Sequence, residues 1–210
     1  MSQSFLYSIN KDYFAAKIIP FDNAWLFSPM VWECLCNKYL PKIELLNGEF
    51  VTASFLGIDG VRNWNVINKI MNASEQQEIR IVWELSNQNF FCTKDKECVA
   101  SAVENFLNIF PADDKGAQWK PHITNRFADI AKEIRSLNED ETPYFVFKNS
   151  SCDDSIMNLF QRDSDEEGSF ESIPTSLKDT AKDTLQEFMI IQDGKIVKFI
   201  SCKDFITKEE

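Results

Sequence analysis

An apolar residue recurs at every third or fourth position between residues 99 and 110, and this repeat is the strongest constraint on the fold. The residues are Val99, Ala102, Val103, Phe106, Leu107 and Phe110. This spacing matches the turn of an α-helix and collects the apolar side chains into one stripe. A second stripe of the same kind follows Pro121 and runs along residues 123–137. Each stripe must be buried against another element, so the chain needs a shared apolar core.

The composition provides enough apolar residues for such a core. Hydrophobic residues make up 44% of the 210 residues, and 18 of them are phenylalanine. Disordered chains have few aromatic and branched apolar residues. A chain of this length buries roughly 70% of the surface that it exposes when unfolded. We therefore expect a well-packed globular protein.

Local signals predict further helices and several strands. Helices are expected at residues 28–39, 61–71 and 176–186, and strands at residues 5–9, 50–56 and 144–147. Residues 78–85 are ambiguous, because apolar residues alternate there as in a strand, whereas Ser74 and Gln77 form a helix-capping pattern ahead of them. The capping pattern favours a helix.

The last part of the chain carries a hairpin signal. Apolar runs at residues 188–191 and 196–200 flank Asp193-Gly194, the pair that a type I′ turn prefers. The sequence therefore predicts an α+β fold, a mostly helical body with a few strands that include a C-terminal β-hairpin. We expect a single α+β domain over residues 1–210, with the terminal strands paired to each other. The alternative is a division near residue 140, into a helical part (1–140) and a strand-containing acidic part (141–210).

Negative charge is concentrated in one segment. The formal net charge is −11, and residues 139–172 contribute −8 of it through ten acidic and two basic residues. Such a field repels nucleic acid and anionic membranes and attracts basic partners. The basic residues are dispersed, without a stripe that interleaves them with aromatics, so no nucleic-acid partner is expected. The sequence also lacks an apolar run of about 20 residues and a signal peptide, so we expect a cytoplasmic protein without a membrane partner.

The acidic segment contains a partial match to a calcium-binding loop. Asp163-Ser164-Asp165-Glu166-Glu167-Gly168 places carboxylates at positions one, three and five and glycine at position six, as in the first half of an EF-hand loop. Position twelve, which should be a bidentate glutamate, is Pro174. A solvated acidic loop is therefore the preferred interpretation over a calcium site, and no metal or other cofactor is predicted.

Signals for catalysis are weak. Phosphate-binding glycine motifs and the Gly-x-Ser-x-Gly motif of serine hydrolases are absent. His122 is the only histidine, so an enzyme using histidine would have to assemble its site around it. The six cysteines are expected to be free buried thiols, because the chain lacks a secretory signal and can build its own core. We therefore predict a protein that is not an enzyme.

In overall character the chain resembles the bacterial immunity proteins of contact-dependent, type VI and related toxin systems. The shared features are moderate size, acidity and the lack of catalytic motifs, and the opening Phe5-Leu6-Tyr7-Ser8 is similar to the start of some bacterial proteins. The resemblance implies a protein that neutralises a cognate toxin by binding it, with a basic toxin domain as the partner. An adaptor or chaperone for a secreted effector, and an enzyme built around His122, are the alternatives.

The acidic segment then becomes the predicted binding surface. An acidic inhibitor imitates the polyanion that a basic nuclease binds, and electrostatic steering speeds its association. An exposed aromatic residue would anchor the contact. The predicted partner-binding residues are Asp153, Asp154, Phe160, Asp163, Asp165, Glu166, Glu167 and Phe170.

Overall fold

The computed structural model describes residues 3–22, 26–52, 59–111, 119–150, 161–163 and 172–209. The described strands are β1 (Gln3–Ile9), β2 (Ala15–Asp22), β3 (Lys42–Glu44), β4 (Phe50–Thr52), β5 (Phe90–Cys92), β6 (Tyr144–Ser150), β7 (Gln161–Asp163), β8 (Ser172–Pro174), β9 (Glu187–Gln192) and β10 (Lys195–Ser201). The described helices are α1 (Ser28–Tyr39), α2 (Gly60–Asn72), α3 (Gln77–Ser86), α4 (Lys96–Ile109), α5 (Lys120–Arg135), α6 (Leu177–Thr180) and α7 (Cys202–Glu209). The fold is α+β, as the sequence predicts.

A mixed six-stranded sheet forms the centre of the fold, with the strand order β10-β9-β5-β6-β1-β2. All neighbours are antiparallel except β5 and β9, which are parallel. The sheet takes three strands from before residue 140 and three from after it. The expected pairing of the terminal strands is wrong, because β5 and β6 lie between the C-terminal hairpin and β1. Both edges of β1 are already occupied, by β2 and β6.

Both faces of the sheet are covered, and successive residues of its strands therefore point into two different cores. In β1, Leu6 packs into the larger core with helices α1–α5, whereas Phe5 and Tyr7 pack into the smaller core. The smaller core is completed by Leu177 and by residues of α7. Burial on both faces explains why the strand at residues 144–147 is a continuous run of apolar residues without polar alternation.

Helix α3 lies in the middle of the larger core and settles the ambiguous segment as a helix. Every residue from Ile79 to Ser86 is buried. The buried residues include Arg80 and Glu84, the two charged positions that interrupt the apolar residues and give the segment its strand-like alternation. The predicted helices α1, α2, α4 and α5 and the β9–β10 hairpin are confirmed. Asp193 and Gly194 both have positive φ, as a type I′ turn requires.

The helix predicted at residues 176–186 is wrong in length, because α6 ends at Thr180. Leu177 and Ala181 are buried, but Leu185 is 94% exposed, so a longer helix would have no further apolar contact along its stripe. The chain instead turns and leads into β9. Strand β2, the short strand β5 and helix α7 are present although no local signal predicts them. None of the described helices is both long enough and apolar enough to cross a bilayer.

Candidate functional site

The predicted partner-binding residues fall largely in the part of the chain that is not described. Asp153, Asp154, Phe160, Asp165, Glu166, Glu167 and Phe170 lie outside the described residues. The backbone of Asp163 ends β7 and is paired with Ser172 in β8. The first helix of an EF-hand would have to extend through residues 161 and 162, which are in this strand instead. The predicted acidic binding surface therefore stays a prediction. The interpretation of residues 163–174 as a solvated acidic loop also stays a prediction.

A cleft of about 770 Å³ lies where the end of α3 meets α2 and the segment before β9. Its volume is in the range of small-ligand sites. Four kinds of side chain line it: aromatic rings, aliphatic chains, amides and two carboxylates. They are Trp32, Trp64, Phe199, Val61, Leu185, Asn68, Asn72, Asn87, Gln88, Asn89, Gln186, Glu84 and Glu187. The surface of the cleft is thus mainly apolar, with amides and two carboxylates set into it.

Three indole N–H groups fix the walls of the cleft to α3. Trp64 in α2 donates to Asn87 Oδ1 at 3.0 Å, and Trp32 in α1 donates to Ser86 Oγ at 3.1 Å. Trp83, which is buried in α3, donates to Asn68 Oδ1 at 3.2 Å. Aromatic residues with a bonded N–H keep their large faces in a defined orientation. The cleft is therefore largely preformed.

The end of α3 is a Schellman motif, and this turn places Asn89 in the cleft. The N–H of Asn89 donates to Glu84 O at 3.2 Å and the N–H of Gln88 donates to Leu85 O at 3.1 Å. Gln88 has a φ of 65°, a left-handed conformation that costs about 1–2 kcal/mol for a residue other than glycine. The Asn89 side chain then donates to Glu84 Oε2 at 2.7 Å and accepts from the N–H of Glu187 at 3.0 Å. One amide thus connects the end of α3 to the start of β9.

Glu84 is a buried carboxylate at the floor of this cleft. Glu84 is only 4% exposed, and this burial raises the pKa of its carboxyl group to about 7. The hydrogen bond from Asn89 and the charge of Arg80 oppose this rise, whereas the charge of Glu187 adds to it. Glu84 Oε1 has no hydrogen-bond partner among the described residues. Since buried polar atoms are rarely left unpaired, this oxygen points to a missing contact.

Two further buried polar atoms near Glu84 also lack a partner within the described part of the chain. They are Asn87 Nδ2 and Arg80 Nε. The Arg80 guanidinium lies 4.8 Å from the ring centre of Phe199. The amide orientation of Asn87 follows from its contact with the Trp64 N–H, which requires the oxygen on that side and leaves the nitrogen unpaired. Two buried polar atoms without a partner among the described residues thus lie three residues apart at the end of α3, and neither is open to solvent.

Apolar side chains around the cleft are unusually exposed. Leu185 is 94% exposed, Val61 is 78% exposed and Trp64 is 38% exposed, and all three line the cleft. Exposed apolar residues grouped around a pocket are typical of surfaces that bind a partner. We call Val61, Trp64 and Leu185 the apolar rim.

His122 lies apart from this cleft. It is exposed on α5, with its ring 6.2 Å from that of Trp119. Among the described residues no disulfide is formed and no three metal-binding side chains come together, and Cys152 lies outside the described residues. The carboxylates of the cleft therefore do not lie next to His122.

No sequence pattern predicted the cleft. Its one local signal is the run Asn87-Gln88-Asn89, which follows an apolar helix and is rich in amides. Glu84 and Glu187 come together from distant parts of the chain, so no spacing in the sequence indicates the pair. Comparison of the chain with protein-family models, curated proteins and solved structures finds no match.

Proposed function

We propose that this chain is a non-enzymatic binding protein of the bacterial cytoplasm that neutralises a cognate toxin by covering a basic toxin domain. The observation that carries this proposal is the apolar rim around an acidic cleft. Protein interfaces combine a few exposed apolar or aromatic anchors with polar groups around a pocket. Burying a leucine or valine side chain contributes about 1.5–3 kcal/mol, so Leu185 and Val61 alone could supply a substantial part of a binding energy.

The charge of the chain supports the same proposal. A net charge of −11 attracts a basic domain and raises its association rate. Glu187 adds negative charge next to the apolar rim. The acidic segment at residues 139–172 would extend this surface, with the partner-binding residues predicted from the sequence as contacts. Complementary charge gives speed and specificity, while the apolar rim gives slow dissociation.

The experiment is to isolate the tagged protein from its native host at low and at high salt and to identify what is retained. A basic, toxin-like protein in stoichiometric amount, held more tightly at low salt, is the expected result. Leu185→Asp should release this protein, because it places a charge in the apolar rim. Leu46→Asp is the matched control, since Leu46 is also almost fully exposed but does not line the cleft.

Two results would contradict the proposal. The first is the recovery of no protein partner at either salt concentration. The second is a partner whose retention is unchanged by Leu185→Asp. Neutralising Asp153, Asp154, Asp163, Asp165, Glu166 and Glu167 together tests the acidic segment separately: binding and its salt dependence should both fall.

A further inference from the structure

Four side-chain amides of the cleft have hydrogen-bonding groups that no other described residue uses. The amides of Asn68 and Gln88 accept a hydrogen bond through their oxygen, and their nitrogen has no partner within the described part of the chain. The side chains of Asn72 and Gln186 make no hydrogen bond there at all. Unlike the two buried polar atoms at the end of α3, these groups are open to solvent. They can therefore meet a ligand that enters the cleft.

Trp64 places a flat apolar face beside these amides. Its N–H donates to Asn87 Oδ1 at 3.0 Å and its ring centre lies 6.0 Å from that of Trp83, yet Trp64 is 38% exposed. The ring therefore has a fixed orientation and an open side. Trp64, Asn68 and Asn72 follow one another at intervals of four residues, so they lie on one face of α2 over about 12 Å of the helix. A ligand in the cleft thus meets an aromatic ring with amides next to it.

The charges around the cleft favour a neutral ligand. No lysine or arginine side chain lines it among the described residues, so an anionic group would find no cation to pair with. Of its two carboxylates, Glu84 is buried, with Arg80 acting on it from the same helix. Glu187 acts on the Cys202 thiol together with the buried Lys148, so a cation already lies close to it. A charged ligand of either sign therefore gains little here.

A sugar ring combines the two properties that these walls require. Its C–H groups form an apolar face that packs on an indole, and its hydroxyl groups both donate and accept, as side-chain amides do. A purely apolar ligand would cover the amides and leave them without partners. A nucleotide carries phosphate charge, for which the lining provides no cation.

We propose that the cleft is a binding site for a small neutral saccharide, with one sugar ring packed on Trp64 and its hydroxyl groups bonded to the surrounding amides. These amides are Asn68, Asn72, Gln88 and Gln186. The volume of about 770 Å³ has room for a disaccharide. This inference goes beyond the proposed function, and its test needs no partner protein.

The test titrates neutral disaccharides, one at a time and to millimolar concentration, into the isolated full chain labelled with ¹⁵N. The probes are maltose, cellobiose, lactose, mannobiose and diacetylchitobiose, which differ in linkage and in the orientation of their hydroxyl groups. At least one of them should shift the indole N–H signal of Trp64 together with the side-chain amide signals of Asn68 and Gln88. Cyclohexanol has a ring of similar size with a single hydroxyl group, and it should bind roughly tenfold more weakly or worse.

Two variants of the cleft have matched controls elsewhere in the chain. Trp64→Leu removes the flat aromatic face, and Gln186→Leu removes an amide that holds no other described residue in place. Each should weaken saccharide binding roughly tenfold, and Gln186→Leu keeps the test decisive if Trp64→Leu perturbs folding. Trp119→Leu and Gln192→Leu make the same exchanges at exposed positions outside the cleft and should leave binding unchanged.

The inference is overturned if none of the disaccharides shifts these signals, if cyclohexanol binds as tightly as the saccharide, or if both cleft variants bind like the wild type. Saccharide binding by a chain that retains no protein partner upholds the inference and defeats only the proposed function. A chain that retains its protein partner but binds no saccharide gives the reverse result.

Discussion

Glu84 makes the stability of this protein depend on pH in an unusual direction. Its pKa rises from the ordinary 4.5 to about 7 in the folded protein, mainly because burial penalises the charged form. Between these two pH values the folded protein holds a proton on Glu84 that the unfolded chain has released. The folded state is therefore favoured at low pH by this residue, and that contribution disappears as the pH rises through about 7. The gap between the two values corresponds to about 3 kcal/mol.

Glu84→Gln removes this dependence. Glutamine has the shape of the protonated carboxyl group and can still accept the hydrogen bond from Asn89. Its free energy of unfolding should match that of the wild type near pH 5 and exceed it near pH 8 by as much as about 3 kcal/mol, or roughly 10 °C in the midpoint of thermal unfolding. Urea unfolding followed by circular dichroism at several pH values measures the difference.

Other groups also titrate over this range, so the difference between variants is the informative quantity. Glu75→Gln, at an exposed position, should give a pH profile parallel to the wild type. The reasoning would be refuted if the Glu84→Gln profile were also parallel, because Glu84 would then have the same pKa in the folded and unfolded states. A variant that is less stable than the wild type near pH 8 would be equally contradictory.

Three further predictions concern the cores, the hairpin and the thiols. Phe188 is fully buried and stacks on Phe205, with 3.9 Å between the ring centres. Phe188→Ala should therefore lower the free energy of unfolding by about 3–5 kcal/mol in urea titrations. Val197→Ala, at a half-exposed site, should lower it far less. Gly194 has a φ of 71° and open space around it, so Gly194→Ala should cost about 1–2 kcal/mol from backbone strain alone, measured in the same way. Burial raises the pKa of three thiols to about 11 or 12. These thiols should therefore resist a thiol reagent near pH 8 until urea unfolds the chain. A reaction at any of them before unfolding would contradict this prediction. These thiols are Cys36, Cys92 and Cys202.

The elements that the sequence predicted correctly are those whose signals are local. The stripe from Val99 to Phe110 and the pair Asp193-Gly194 act through neighbours a few residues away, and both give the expected structure. Helix α3 is the intermediate case: its apolar residues alternate with Arg80 and Glu84 as in a strand, and only the capping pattern ahead of it indicated a helix.

The sequence by itself determined that this chain is α+β, strongly acidic and rich in aromatic residues for a core. The tertiary structure decided the strand order, the length of α6 and the existence of the cleft. The backbone N–H of Glu187 donates to the Asn89 side chain across 98 residues, and the raised pKa of Glu84 comes from the burial of its carboxyl group by the elements packed around it. Contacts of this kind depend on how all the elements pack together, so they cannot be predicted from the spacing of residues along the chain.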